Sequence, residues 1–284
     1  EHFEDGGTSP TWGRRTSYSA LVRGIVDAFE ALPLRDEPRK PRVGVLGEIL
    51  VQFHPDANNH IVEVIESEGC EAVLPGLMWF VHNALTSGDY NWKTFGTEKW
   101  KRFFKKGFLA VLQQYQKPVD AALGTSQRFE VPTHISRIVE EAQQIVQLGN
   151  QSGEGWYLVG EMIDMIEEGV PNICVVQPFA CLPNHVVGKG MFREIRRQFP
   201  QANIVGIDYD PGASEVNQLN RIKLMISTAF MMREQQPEMD AQDRAEALEQ
   251  VLVGEDAAAL DGVADGRSMA ELLADLGPVP DGTL

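Results

Sequence analysis

Cys181 is the residue whose type and position could do the most chemistry. It lies in QPFACLPNHVVGKGM, residues 177–191, in a Pro-bounded loop between an apolar run and a helical one. A thiolate acts as a nucleophile or soft metal ligand where a helix N-terminus or nearby cations lower its pKa. The helix expected from about Gly188 supplies such an end, and His185 and Lys189 follow within eight residues. The competing reading is a half-buried thiol that packs as a small apolar side chain. Cys174 alternates with Val175 and Val176 inside the apolar run and reads as core, and Cys70, just after Gly69, reads as structural. The seven-residue spacing from Cys174 to Cys181 matches no standard iron–sulfur or zinc run. Three cysteines make no disulfide scaffold, and a reducing, cytoplasmic compartment is expected.

Other candidates surround this loop. Gly188-Lys189-Gly190 resembles part of a phosphate loop, but that pattern needs Gly at position 183 and Ser or Thr at 190, where the chain has Pro and Gly. What remains is a Gly-flanked helix start able to hold an anion, such as a phosphate of CoA. Asp208 and Asp210 flank Tyr209 at a strand end and could ligate a metal or a ribose. Asp210 equally suits a helix N-cap, with Pro211 at the first helical position. Asn217, Gln218, Asn220, Arg221 and Lys223 make the next helix unusually polar, as a binding surface or a solvated face. Glu48 and His54 bracket another loop, where His54 is a candidate ligand or base and equally a turn residue. No Ser-His-Asp set, nucleophile elbow or HExxH pattern is present.

The elements that must position these groups follow an α/β grammar. Val43–Leu46 reads as a strand, Ile61–Glu68 as a helix and Glu71–Leu74 as a second strand, a βαβ unit whose strands are parallel. Mostly helical sequence follows: Leu77–Leu85, Glu98–Gln116, Thr133–Leu148 and Gly155–Glu168. Strands at Asn172–Gln177 and Asn203–Ile207 then alternate with helices at Lys189–Phe199 and Ala213–Phe230. The expectation is a Rossmann-like, doubly wound and mostly parallel sheet carrying a large helical insertion. In such sheets ligands bind outside the carboxyl ends of the strands, where both polar loops should open. Residues 1–41 read as an irregular lead-in, a helix over Ser19–Leu32 and a Pro-rich linker. Residues 42–235 form the α/β module, and 236–284 an acidic, partly disordered tail.

The charge of −16 is uneven: residues 236–284 hold 12 acids and 2 bases, which leaves the body mildly acidic. The one dense basic cluster, Lys99, Lys101, Arg102, Lys105 and Lys106, is expected to be the solvated face of an amphipathic helix. No nucleic-acid partner is expected, and no 18-residue apolar run could span a membrane. The chain opens at Glu1 without an initiator Met and is expected to be a processed product or a piece of a longer polypeptide.

The run from GEGWYLVGEMIDM through QPFACLPNHVVGKGM to DYDPGASEVNQLNRIKLM resembles the C-terminal part of the large 2-hydroxyacyl-CoA dehydratase and activase-related proteins. VGVLGEILVQFHPDANNHIVEVIESEGCEAVLP is similar to the start of the same module, so the resemblance spans about residues 42–233. It implies Rossmann-like lobes, an oxygen-sensitive iron–sulfur cluster of the 4Fe-4S kind, an acyl-CoA substrate, and an ATP-hydrolysing activase that delivers a low-potential electron. Cys181 matches the position of a cluster ligand, with Asn184, His185, Gly188 and Lys189 as its cofactor-binding neighbours. Relatives carry further cysteines upstream and nucleotide-binding activase domains that this chain lacks. A four-iron cluster takes about four protein ligands. The resemblance therefore implies a lyase component of an oligomer, an incomplete catalyst by itself, which either works with a separate cysteine-bearing segment or is a fragment of a longer protein. A docking module for an activase and a CoA- or nucleotide-binding domain are the alternatives.

Overall fold

A computed structural model describes residues 17–34, 38–97 and 99–253, with side chains to 234. Of the lead-in expected over residues 1–18, residues 1–16 lie outside the described residues; of the acidic tail expected over 236–284, residues 236–253 are described and helical, and 254–284 lie outside. Four strands, β1 (Arg42–Gly47), β2 (Glu71–Val73), β3 (Asn172–Pro178) and β4 (Asn203–Tyr209), form one all-parallel sheet in the order β2-β1-β3-β4. The chain winds outward from β1 to β2, then crosses back to β3 and β4 on the other side. The strand order thus reverses between β1 and β3, the usual place for a ligand crevice in a Rossmann-like sheet.

Period-two alternation sorts the strand side chains onto two covered faces. Leu46, Ile173, Val175 and Ile204 pack against α7 (Trp156–Glu167) and α8 (Gly190–Gln198) through Leu158, Met162, Ile163 and Ile195. Val43, Val45, Cys174, Val176 and Ile207 pack against α3 (Ile61–Ser67) and α9 (Glu215–Val253) through Ile61, Ile65, Ile222 and Met225. Gly44 lets α7 close on the sheet, because a Cβ there would sit 2.4 Å from Met165 Sδ. Gly47 ends β1 at φ 148°, where a Cβ would meet the Val176 carbonyl oxygen at 1.8 Å. Only glycine fits that turn.

The insertion between β2 and β3 holds α4 (Met78–Phe95), α5 (Lys99–Leu123), α6 (Ile135–Gln143) and α7. α6 packs on α7 through Ile135, Ile138 and Ala142 against Trp156 and Tyr157. The N-terminal helix α1 (Tyr18–Glu30) docks on α5, with Tyr18 edge-on to Tyr115 and Glu30 accepting a hydrogen bond from Ser126. The described chain to Phe230 groups as one compact unit, α1 included, and a second unit begins at Met231. A short helix, α2 (Ile49–Phe53), follows β1. Among the described residues no helix is long and apolar enough to cross a membrane.

Candidate functional site

The carboxyl ends of β3 and β4 gather four of the residues singled out in the sequence. β3 ends in Gln177-Pro178, and the chain turns through Ala180 at φ 62°. This left-handed conformation costs a non-glycine residue roughly 1–2 kcal/mol. The turn brings the Cys181 backbone N–H onto the Pro178 carbonyl at 3.2 Å. Cys181 is half-buried, whereas Cys70 and Cys174 are buried. Burial pushes the thiols of Cys70 and Cys174 up, and both lie in the core against α3 and α9.

A single turn of π-helix, Asn184–Lys189, follows and runs straight into α8. Such turns are rare and occur often at functional sites. His185 closes the loop, since its backbone N–H and its Nδ1 each lie 3.0 Å from the Cys181 carbonyl oxygen. With Nδ1–H donating there, Nε2 faces Asp208 Oδ1 at 3.2 Å and the Gln177 amide at 3.3 Å.

Asp208 is the hub of the site. Its Oδ1 accepts from Gln177 Nε2 at 2.6 Å, and its Oδ2 faces Lys189 Nζ at 3.5 Å and Arg221 Nη1 at 3.9 Å. Burial alone would raise its carboxyl; the Gln177 hydrogen bond and the Lys189 and His185 charges outweigh it and hold the group below its ordinary value. One carboxylate thus faces two partly exposed cations and a histidine. Arg221 also donates to the Gly206 carbonyl at 2.7 Å, and Gln218 donates to the Asp208 carbonyl at 2.9 Å. The polar start of α9 is therefore partly internal wiring. Lys223 pairs with Glu68 at 2.8 Å, while Asn217 and Asn220 are exposed.

Two buried amides here leave polar atoms without partners. Asn184 is 0% exposed with neither side-chain polar atom hydrogen-bonded, and Gln177, also 0% exposed, leaves its Oε1 free. An unmade buried hydrogen bond costs about 1–3 kcal/mol. Buried groups of this kind are uncommon in a folded chain.

Two expectations are revised. The helical path begins at Asn184, so Gly188-Lys189-Gly190 lies inside it and presents no free helix N-terminus for an anion. Gly188 is there for packing, because a Cβ would come within 2.6 Å of Leu158 Cδ2 on α7. Asp210 does not cap α9; its carbonyl accepts from Ala213 in a turn, and the helix starts at Glu215. At the other loop Glu48 caps α2 through the Val51 N–H at 3.0 Å, and His54 is an exposed turn residue near Asp56.

One group of residues escaped the sequence reading. Tyr157, Glu161 and Asp164 on α7, with Glu168 at its C-cap, repeat at spacings of four, three and four along a single face of a helix otherwise almost wholly apolar and buried. That spacing was the available signal.

Among the described residues no three His, Cys, Asp or Glu side chains converge to hold a metal ion. An iron–sulfur cluster is therefore not held by this chain's described residues alone, and Cys181 fits only as one donor of a shared site. The sheet and its switch point define a Rossmann-like α/β protein. No protein-family model, curated protein or solved structure matches the chain.

Proposed function

We propose that this chain is a component of a 2-hydroxyacyl-CoA dehydratase-like, ATP-activated system and contributes the Cys181 thiolate to an iron–sulfur cluster shared with a second, cysteine-bearing segment. The observation that carries this reading is the presentation of Cys181. It is the one half-exposed thiol, set at the carboxyl end of β3 on a strained turn and locked from behind by His185. A bound cluster would supply low-potential electron transfer toward an acyl-CoA thioester.

The chain's own residues do the positioning. Ala180 and the π-helical turn hold the loop in one shape, and His185 fixes the Cys181 carbonyl and so the backbone that carries the thiol. Lys189 and Arg221 favour negative charge in the crevice, which suits a thiolate. The free amide atoms of Asn184 and Gln177 suit hydrogen bonds to whatever occupies the crevice. The activase that delivers the electron and hydrolyses ATP is a separate partner in this reading.

The test is anaerobic reconstitution with iron and sulfide, read by metal analysis and EPR. It is run on the chain alone, on the chain with its cysteine-bearing partner, and on Cys181→Ala with that partner. Iron should be retained by the wild-type pair and lost in the variant. Equal iron in the two pairs overturns the ligand role. Stable association with neither cluster nor turnover would leave a docking module.

A further inference from the structure

A second polar site lies on the opposite flank of β1 and shares no residue with the Cys181 crevice. A cavity of about 390 Å³ opens between α7, the end of β2 and the segment over residues 128–133. That volume falls within the range of small-molecule sites. One wall is the polar stripe of α7, with Tyr157, Glu161, Asp164 and Glu168 all lining the space. Tyr157 is 2% exposed and its hydroxyl has no well-aligned hydrogen-bond partner, although the Glu161 carboxyl lies beside it.

Glu161 is 7% exposed, and neither it nor Asp164 forms an ion pair among the described residues, while one oxygen of Asp164 is buried without a partner. Burial pushes the Glu161 carboxyl up to about 8 and that of Asp164 to about 6. Glu161 thus has no cation beside it, and the charge of Arg137 near Asp164 only partly offsets that residue's burial. A positive charge lines the same cavity. Arg42 lines it, its Nε buried without a hydrogen bond and 3.8 Å from Glu71. Buried acceptors on α7 and a guanidinium with one unpartnered N–H, its Nη1 already donating to the Glu168 carbonyl at 3.4 Å, suit a ligand that carries both charges.

We propose that this cavity binds a small zwitterion of the amino-acid class, its ammonium group against Glu161 and Asp164 and its carboxylate against Arg42. The Tyr157 hydroxyl supplies one further hydrogen bond.

Isothermal calorimetry on the full chain tests this with glycine, β-alanine, 4-aminobutyrate and 6-aminohexanoate as zwitterions, and with propylamine and propionate as single-charge controls. At least one zwitterion should bind, and each control should bind at least about tenfold more weakly. Glu161→Gln should lose about 10–100-fold in affinity, the scale of a charged hydrogen bond. Cys181→Ala should bind as the wild type does, which separates this site from the cluster reading. Asp164→Asn carries the same expectation should Glu161→Gln fold poorly by circular dichroism. No binding by any of the four zwitterions overturns the proposal. So does propionate or propylamine binding as tightly as the best zwitterion, or folded Glu161→Gln and Asp164→Asn binding unchanged.

Discussion

Replacing Glu161 by Gln should flatten the decline in stability with rising pH. The side chain is 7% exposed on α7, and burial, reinforced by Asp164 and Glu154, lifts its carboxyl from 4.5 to about 8 against the opposing Tyr157 hydroxyl. A folded value above the unfolded one means that the folded chain holds an extra proton in between. The stability this proton contributes is complete below 4.5, falls as pH rises through the interval and is gone above about 8. At about 1.4 kcal/mol per pH unit, the interval sets a ceiling of about 5 kcal/mol. Relaxation and water entry reduce this, so roughly 2–3 kcal/mol should be lost between pH 5 and pH 7.5. Gln keeps the shape and carries no titrating proton. Urea melts of both proteins at the two pH values give the difference directly, with equal m-values required. Asp164 and Glu141 titrate in both proteins, so the wild-type-minus-variant change isolates Glu161. Curves that stay parallel within about 0.5 kcal/mol would refute a buried, protonated Glu161.

The remaining predictions concern the thiol crevice. Gly188→Ala should cost about 1–3 kcal/mol by overpacking against Leu158, and much less in a Leu158→Ala background; thermal melts of the four-protein cycle check this, and an unrelieved cost in the double variant would contradict a packing role. Asp208→Asn leaves Lys189, Arg221 and His185 facing a neutral amide and should cost about 1–2 kcal/mol at pH 7 in urea melts. Because the Asp208 carboxyl sits below its ordinary 3.8, its contribution is present above that value and lost as pH falls through its folded value. The variant's deficit should therefore vanish in strong acid, and a deficit unchanged there would mean that charge is not its source.

The sheet was legible because buried parallel strands are written as short apolar runs, and all four strands fall where such runs lie. Cys174 in the core followed from the same alternation. Helix ends were harder. Gly188 and Gly190 looked like a break, but the π-helical turn carries the backbone through them, and the reason for Gly188 lies on α7, some thirty residues earlier. Asp210-Pro211 had the form of a cap, yet the turn over Pro211–Ser214 delays α9 to Glu215. The basic cluster of α5 is solvated at Lys99, Lys101 and Lys106, as expected, but not all of it points only to water. Arg102 and Lys106 turn toward Asp89 on α4 at 2.6 and 2.9 Å, while Trp100, Phe103 and Phe104 are 75, 69 and 70% exposed. Periodicity identifies an amphipathic helix; it does not say which face the neighbour takes.

Helix α7 joins the two polar sites mechanically. Leu158 fills the space over Gly188 in the turn that follows Cys181, and Glu161, less than one helical turn further on, lines the cavity. The loop that leads into α7 touches the same crevice, because a Cβ on Gly153 would stand 3.0 Å from Pro183 Cγ. Glu154, next in that loop, accepts the Ile49 N–H at the end of β1 at 3.2 Å, and burial raises its carboxyl. Packed interiors take up strain poorly. A shift of α7 that accommodates a ligand beside Glu161 would therefore be felt at Gly188 and Pro183, on either side of His185. The thiol loop and the acidic cavity differ in chemistry, yet both are packed against α7.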